Sequence, residues 1–233
     1  MEIQIAISKV DRYSSPEQGD QVEVVERPSG GVSVILGEGK LNGKRSKFVA
    51  RKTVHRLLSL LLDGIHDGAA SRAVLSALKT EYHGEAEFSL NVLSCDLESG
   101  TIVLTKNNDL PVIMIRKDKG SYTSYEGHDE VDPQEPNVYQ FPIENDFIII
   151  MFSDGVATAG WDCSQPLEWN SLMETVLDEQ ELSVKELADQ VLNQAIAQDL
   201  GQPHDDMSVV VMQVGRNTGK PIRRMSVLSL IHI

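Results

Sequence analysis

Residues 32–46 read VSVILGEGKLNGKRS, and this stretch carries the strongest structural signal of the chain. Its first five residues place apolar side chains at every second position, which is the period of a β-strand, and Gly37 is predicted to end that strand. Apolar residues then recur with helical spacing at positions 54, 57, 58, 61 and 65. The stretch therefore predicts a strand that leads through a glycine-rich turn into a long helix, which either Asn42 or Ser46 caps.

Along the rest of the sequence, predicted strands precede and follow each of two pairs of predicted helices. Alternating isoleucines at 3, 5 and 7 predict a strand, and residues 21–26 and 32–36 predict a hairpin joined through Pro28-Ser29-Gly30-Gly31. Downstream we predict a helix over 70–79, strands over 88–152, helices over 168–177 and 183–198, and a last strand over 207–214. This order excludes a simple alternating βαβ chain. It predicts an α+β fold with two packed, mainly antiparallel sheets and helices outside them.

Charge and composition limit the classes of partner. The 233 residues include 35 Asp and Glu against 21 Lys and Arg, which gives a formal net charge of −14. A nucleic-acid partner needs a large basic footprint, and none stands out in the sequence, so no nucleic-acid partner is expected. An acidic surface instead favours cations or basic partner surfaces.

The sequence also predicts a cellular compartment. Cys95 and Cys163 form neither a CxxC motif nor a disulfide framework, which favours a reducing environment. The first residues lack the features of a signal peptide, and the longest strongly apolar run, residues 147–152, is too short to span a membrane. We therefore expect a cytoplasmic protein with no membrane partner.

Four acidic residues each stand beside a glycine or in an Asp pair, at the edge of an apolar run. They are Asp20, Glu38, Asp154 and Asp205. Acids at such positions can point their carboxylates out of the fold, and converging carboxylates repel one another unless a cation lies among them. Hard divalent cations such as Mg²⁺ and Mn²⁺ prefer oxygen ligands of this kind. The pattern predicts a metal site built from carboxylates.

Four short motifs, taken in order, resemble the metal-dependent serine/threonine protein phosphatases of the PPM type. They are Gly19-Asp20, Glu38-Gly39-x-x-Asn42-Gly43 before a helix, Ser153-Asp154-Gly155, and Asp205-Asp206-Met207-Ser208-Val209. The bacterial sporulation and stress-response branch, which is stage II sporulation E-like, is the most similar. Residues 100–111 also resemble that branch. The resemblance covers residues 15–214, so we expect a phosphatase domain over 1–214.

This resemblance implies an αββα sandwich with two Mn²⁺ or Mg²⁺ ions at one end. Glu38 takes the place of the acid that bridges both ions, and the carbonyl of Gly39 would face one of them. Asp154 and Asp205 would hold the other, while Asp20 would bind metal or orient its waters. Asp206 is expected to face solvent. A water activated by the two ions would attack phosphorus in line, so no further catalytic residue is expected.

The implied substrate is phosphoserine or phosphothreonine on a bacterial signalling protein. The branch points to a partner-switching or stress-response pathway, with an anti-sigma-antagonist type domain as one such substrate. The family pattern, however, has Asp where this chain has Glu38, and the extra methylene moves the carboxylate. Glu38 keeps open the alternative of a regulator that binds a phosphoprotein without hydrolysing it. A separate alternative is a metal-dependent hydrolase of small phosphoesters.

The segment 215–233 differs from the rest of the chain in charge. It contains Arg216, Lys220, Arg223 and Arg224 and no acidic residue. We predict a basic C-terminal tail that is either disordered or a docking element. Its end, residues 227–233, is apolar enough to pair with another element.

Overall fold

The structure is a computed structural model that describes residues 2–13, 19–96, 98–116, 120–125, 133–143, 147–178, 182–215 and 227–230. Its strands are β1 Glu2–Val10, β2 Asp20–Glu26, β3 Val32–Leu41, β4 Lys44–Arg45, β5 Ala86–Asp96, β6 Thr101–Lys106, β7 Val112–Arg116, β8 Ser121–Tyr125, β9 Asn137–Pro142, β10 Phe147–Phe152, β11 Met207–Gly215 and β12 Val227–Leu230. Its helices are α1 Lys47–Leu62, α2 Asp67–Glu81, α3 Asp154–Ala157, α4 Trp169–Asp178 and α5 Val184–Gln198.

The chain divides into two compact units. The first unit comprises residues 1–16, 110–126 and 144–233, and the second comprises residues 17–109 and 127–143. Each unit contains one sheet and its own helices. No helix in the described part of the chain combines the length and apolarity needed to cross a membrane.

The first unit is built on a sheet with the strand order β12-β1-β11-β10-β7-β8. Its pairs are antiparallel except for β12, which runs parallel to β1. All six residues of β10 are buried, which explains its uninterrupted apolar sequence. Helix α5 begins with a capping box between Ser183 and Glu186 and packs its apolar stripe onto the sheet. Each valine or leucine buried in that stripe stabilises the fold by about 1.5–3 kcal/mol.

The second unit is built on an antiparallel sheet with the order β2-β3-β5-β6-β9, and β4 pairs with β3. Helices α1 and α2 cover one face of this sheet, where Leu57 and Leu61 of α1 share a core with Ile35, Leu90 and Val92. Because side chains alternate along a strand, Glu38 lies on the opposite face from Ile35. That face carries the acids of interest.

The structure confirms the α+β fold of two mainly antiparallel sheets flanked by helices. The prediction that Gly37 ends its strand is wrong, because β3 continues to Leu41. Glycine is required at this point for a different reason: a Cβ at Gly37 would lie 2.3 Å from the ring of Phe88 on β5. The strand continues through Gly37 because the Phe88 ring of the neighbouring strand packs directly against it.

The choice of helix cap is resolved in favour of Ser46. Its side chain accepts a hydrogen bond from the N–H of Val49, which satisfies one of the first free donors of α1. Asn42 instead has φ 51° and is followed by Gly43 with φ 72°, so these two residues form the turn of the β3–β4 hairpin. Two successive positive φ values are characteristic of a type I′ hairpin turn, for which Asn-Gly is preferred.

Other boundaries differ from prediction in modest ways. The second helix begins at Asp67 rather than 70, and the short helix α3 was not predicted at all. Within the predicted tail, residues 227–230 form β12 and pair with β1, whereas residues 216–226 and 231–233 lie outside the described residues. The division of the chain into a domain over 1–214 and a tail over 215–233 stays a prediction.

Candidate metal centre

Asp20 and Glu38 lie directly opposite each other in the second unit. Asp20 begins β2, Glu38 is near the end of β3, and the antiparallel register pairs the two residues. Both are buried, with 1% of Asp20 and 6% of Glu38 exposed. Opposite residues of neighbouring strands bring their Cβ atoms to about 5 Å, so two carboxylates here repel each other unless a cation intervenes. The structure thus brings these two predicted ligands together.

Two cationic side chains of the same unit face these carboxylates. Arg45 on β4 places one nitrogen 3.6 Å from Asp20 Oδ1 and the other 3.4 Å from Glu38 Oε1. Lys40 places Nζ 3.3 Å from Glu38 Oε1. These separations exceed the 2.7–2.9 Å usual for a charge-assisted hydrogen bond, so they describe charge compensation rather than a tight bidentate pair.

The Asn42-Gly43 hairpin explains why Arg45 reaches this position. The two-residue turn reverses the chain at once, so Arg45 pairs with Lys40 across the β3–β4 ladder. Lys40 and Glu38 are two residues apart on β3 and therefore share a face of the sheet. Arg45 and Lys40 were missed as site residues, although Asn-Gly between two short polar segments is a known hairpin signal.

Gly39 is fixed by the packing of helix α1 against β3. A Cβ at this position would lie 2.4 Å from the backbone nitrogen of Ala50, so only glycine fits. The carbonyl of Gly39 accepts a hydrogen bond from the N–H of Ser46 at 2.8 Å. A carbonyl oxygen has two lone pairs, so this bond leaves one for a further ligand. The contact ties the strand that carries Glu38 to the first turn of α1.

Asp154 lies in the first unit, at the first residue of helix α3, directly after the buried strand β10. Ser153 precedes it and anchors the junction, because Ser153 Oγ accepts a hydrogen bond from the N–H of Ser208 at 2.9 Å. The N–H of Ser153 donates in turn to the carbonyl of Ser208 at 3.0 Å. The end of β10 is therefore held to β11 at the point where the carboxylate of Asp154 leaves the strand.

Asp205 and Asp206 precede β11 in the same unit and have different roles. Asp205 is half-buried, and its carboxylate accepts a hydrogen bond from the N–H of Asp206 at 2.8 Å. Asp206 is only 3% exposed and accepts from the N–H of Arg12 at 2.9 Å. The expectation that Asp206 faces solvent is wrong. Its buried carboxylate instead binds the backbone N–H of Arg12 and so connects the segment after β1 to the residue that precedes β11.

The loop that carries Asp205 also packs closely against α3. A Cβ at Gly155 would lie 2.2 Å from the carbonyl oxygen of Asp206 and 3.2 Å from Cβ of Asp205. Glycine at position 155 therefore allows the two acidic segments to approach each other. Within the first unit, the structure brings Asp154 and Asp205 to the same junction.

A chain of hydrogen bonds from Asp199 to Asp154 stabilises the junction that carries Asp154 and Asp205. Asp199 Oδ2 lies 2.5 Å from His204 Nδ1, and His204 Nε2 lies 3.0 Å from Thr158 Oγ1. Thr158 Oγ1 donates to the carbonyl of Asp154 at 2.8 Å. The other oxygen of Asp199 accepts from the N–H of Gly160 at 2.7 Å. His204 thus connects the C-terminal end of helix α5 to Asp154, a candidate ligand.

The environment of Asp199 favours its ionised form. Burial opposes ionisation, but hydrogen bonds from the N–H groups of His204 and Gly160 and from the His204 ring outweigh it, so the pKa of Asp199 lies below its ordinary value. A carboxylate that accepts several N–H bonds is stabilised as an anion. Asp199 therefore acts as a fixed acceptor that holds the α3 and Asp205 segments.

The donor set of each unit suits a hard divalent cation. The second unit presents two buried carboxylates on one sheet face, and the first presents two carboxylates at one strand–helix junction. Oxygen-only sets of this kind fit Mg²⁺ and Mn²⁺. By contrast, burial raises the pKa of the Cys95 thiol to about 12, so Cys95 is not a thiolate nucleophile at neutral pH.

Comparison with solved structures identifies the class of the fold. The PP2C phosphatase domain of SpoIIE from Bacillus subtilis, solved with a fragment of its regulatory domain, matches with a TM-score of 0.76 and 20% identity, covering 93% of this chain and 65% of that one. The catalytic domain of the serine/threonine protein phosphatase PstP, solved with two manganese ions, matches with a TM-score of 0.66 and 14% identity, covering 92% and 99%. The fold is that of PP2C-type phosphatase domains.

The sequence comparisons then give the family. The family model of stage II sporulation protein E (SpoIIE) matches residues 28–215, so the chain belongs to this family. A stage II sporulation protein E from Priestia megaterium is 24% identical over 204 residues, which is 87% of this chain and 34% of that protein. The chain thus spans about a third of the length of this relative.

Proposed function

We propose that this protein is a metal-dependent phosphatase that hydrolyses phosphoserine or phosphothreonine on a protein substrate. Family membership and the PP2C-type fold support the reaction class. The observation that carries the proposal is the pairing of two buried carboxylates, Asp20 and Glu38, on one face of the sheet. Two carboxylates in this arrangement are ligands that Mg²⁺ and Mn²⁺ prefer, and they suit the chemistry of this class.

In this proposal the residues that would hold two Mn²⁺ or Mg²⁺ ions are Asp20, Glu38, Gly39, Asp154 and Asp205. When bound, the ions would neutralise charge on the phosphoryl group and activate the attacking water. Hydrolysis of phosphate monoesters is extremely slow without such stabilisation, which explains a site built around strong charges. The catalytic domain of PstP was solved with two manganese ions, which supports the ion count of this proposal.

The residues of the chain itself then have positioning roles. The Ser46 N–H bond to the Gly39 carbonyl fixes the strand segment around Glu38, and the Ser153–Ser208 bonds fix the departure of Asp154. Substrate geometry depends on such fixed elements, because small displacements of reacting groups reduce rates strongly. The substrate is proposed to be a phosphorylated bacterial signalling protein of a partner-switching or stress-response pathway, such as an anti-sigma-antagonist type domain. The protein itself is proposed to be cytoplasmic.

A second function is a regulator that binds a phosphoprotein without hydrolysing it. Two observations favour it: glutamate stands where the resemblance expects aspartate, and Glu38 already has Arg45 and Lys40 as counter-charges within 3.4 Å. Cations that neutralise the ligands lower the benefit of binding a metal. The regulator would retain the fold and the phosphoprotein surface but have weak metal affinity.

Metal-dependent turnover tests the proposal. We expect hydrolysis of a phosphoserine peptide with Mn²⁺ or Mg²⁺ and none with chelator. Asp154→Asn and Asp205→Asn should each reduce turnover at least a hundredfold, since each removes a charged ligand. Asp162→Asn, an exposed acid in the same unit, is the matched control. Full activity in both ligand variants would refute the assignment, while metal binding without turnover would favour the regulator.

A further inference from the structure

We propose that the outer face of helix α1 is the docking surface for an acidic segment of the phosphoprotein substrate. The inference rests on the proposed function and adds the kind of partner and the place where it binds. We call this surface the α1 basic face. It consists of Lys47, Phe48, Arg51, Lys52, His55 and Arg56.

Positive charge is concentrated in one stretch of the chain, from the end of β3 through β4 to α1, and four of its seven cations lie on α1. Residues 39–62 contain seven Lys and Arg and no Asp or Glu, although the whole chain carries −14. The remainder of the chain therefore has 14 Lys and Arg against 35 Asp and Glu, a net charge of −21. An acidic partner would be repelled by most of the protein and attracted to this helix. Charge complementarity thus selects both the surface and the sign of its partner.

The arrangement on the helix shows that these cations are not required for the core. Helix α1 buries Val49, Ala50, Thr53, Val54, Leu57 and Leu61 against the sheet. Lys47, Arg51 and His55 follow each other at a spacing of four residues and are exposed, so they line one outer stripe. Lys47 lies in the first helical turn, which contains no acidic residue. A cation at a helix N-terminus opposes the helix dipole, and a bound anion would relieve this cost.

An exposed aromatic residue lies within the same face. Phe48 is 67% exposed, and Lys52 Nζ lies 5.6 Å from its ring centroid and 5.5 Å from that of Tyr82. Lys52 also forms an ion pair with Glu81 of α2, as does Arg56. Glu81 therefore holds the two cations nearest α2. Aromatic residues and arginine are enriched in protein interfaces relative to the rest of the surface.

One end of the face is close in sequence to a residue that contacts the candidate ligands. Lys47 is two residues from Arg45, whose guanidinium lies within 3.6 Å of both Asp20 and Glu38. The helix rises 1.5 Å per residue, so the face from Lys47 to Arg56 extends about 14 Å from that end. This length accommodates about four extended residues of a partner. Glu38 lies on the sheet face opposite to α1, so the residues that join the acidic segment to the phosphoserine must pass the N-terminal end of α1, beside Arg45.

The test separates docking from catalysis by measuring each by itself. The double variant Lys47→Glu/Arg51→Glu reverses two charges of the face, and glutamate is a good helix former that suits the first turn. Lys185→Glu on α5 is the matched control, because it makes one such change on an exposed helical residue of the other unit. The probes are p-nitrophenyl phosphate and two phosphoserine peptides, one flanked by glutamates and one by lysines.

We expect the chelated protein to bind the acidic phosphopeptide in fluorescence anisotropy, more weakly as salt increases. The double variant should weaken this binding and raise the KM for that peptide on the order of tenfold, because charged surfaces change association rates by 10–10³. Its turnover of p-nitrophenyl phosphate should not change. Lys185→Glu should behave as the wild type in both assays.

The outcomes are distinguishable. Turnover with no preference between the two peptides, or with no effect of the double variant, overturns the docking surface and leaves the phosphatase intact. Peptide binding that depends on the face without any turnover supports docking and rejects the phosphatase. Tighter binding of a single-stranded oligonucleotide than of the acidic peptide overturns the choice of partner. Loss of a dimer in the double variant, measured by sedimentation, would instead identify a second copy as the occupant.

Discussion

Arg45 offers the sharpest test of how the two buried carboxylates are held. Arg45→Met keeps most of the side-chain volume and removes the charge that lies 3.6 Å from Asp20 and 3.4 Å from Glu38. Removing one partner of a fully buried ion pair costs about 3–5 kcal/mol. Arg45 is 18% exposed and Lys40 remains beside Glu38, so we expect a smaller loss of roughly 2 kcal/mol.

Calorimetry in chelator measures this loss directly. For a chain of this length, 2 kcal/mol corresponds to a decrease in Tm of about 4–8 °C. Mn²⁺ should raise the Tm of Arg45→Met more than that of the wild type, because a bound ion supplies the missing positive charge and stabilises the folded state. Lys44→Met is the matched control, since Lys44 is exposed and adjacent on the same short strand. An unchanged Tm in chelator would refute the view that Arg45 compensates these carboxylates.

Three further predictions address the remaining elements of the site. Gly39→Ala and Gly155→Ala should each destabilise the protein by about 1–3 kcal/mol or more, measured by urea unfolding, because the added Cβ would meet backbone atoms at 2.4 and 2.2 Å. Asp199→Asn should remove the part of the pH dependence of stability that the lowered pKa of Asp199 creates. That stabilisation is present above the unfolded-state pKa of about 3.9 and is lost as pH falls through the lower folded value. Glu38→Asp should bind Mn²⁺ more tightly in calorimetry, and activity found only in that variant would identify the natural protein as a regulator.

A different result would contradict each of these three predictions. Unchanged stability of both alanine variants would mean that the backbone near Gly39 and Gly155 is loosely packed. An Asp199→Asn variant with the acid sensitivity of the wild type would show that His204 and Gly160 do not stabilise the carboxylate. Weaker metal binding by Glu38→Asp would show that the longer side chain is the better ligand in this site.

Much of the fold was predictable because it depends on local patterns. Residues close together in sequence are enough to identify the apolar run of β10, the apolar stripes of α1 and α5, and the Ser183 capping box. The order of these elements was sufficient for the α+β class. Boundaries were less predictable where a residue type has two uses: Gly37 was interpreted as a strand end, yet β3 continues because glycine is needed under the Phe88 ring.

The candidate site shows the same division. The acids Asp20, Glu38, Asp154 and Asp205 could be selected from the sequence, because each stands at the edge of an apolar run beside a glycine or another acid. The contacts that surround each of these acids could not be predicted from the sequence. Asp206 resembled a solvent-facing neighbour of Asp205 but is buried against the Arg12 N–H, a contact between residues far apart in the chain.

The sequence by itself determined the order of the main helices and strands, the family resemblance and the set of acidic residues, because these depend on residue type and short-range spacing. Only the tertiary structure decided the register that places Asp20 opposite Glu38, the hairpin that directs Arg45 toward both, and the path from Asp199 through His204 to Asp154. Such contacts depend on which strands pair and how closely helices pack on them. Pairing and packing are set by the burial of the whole core, which no short stretch of sequence contains.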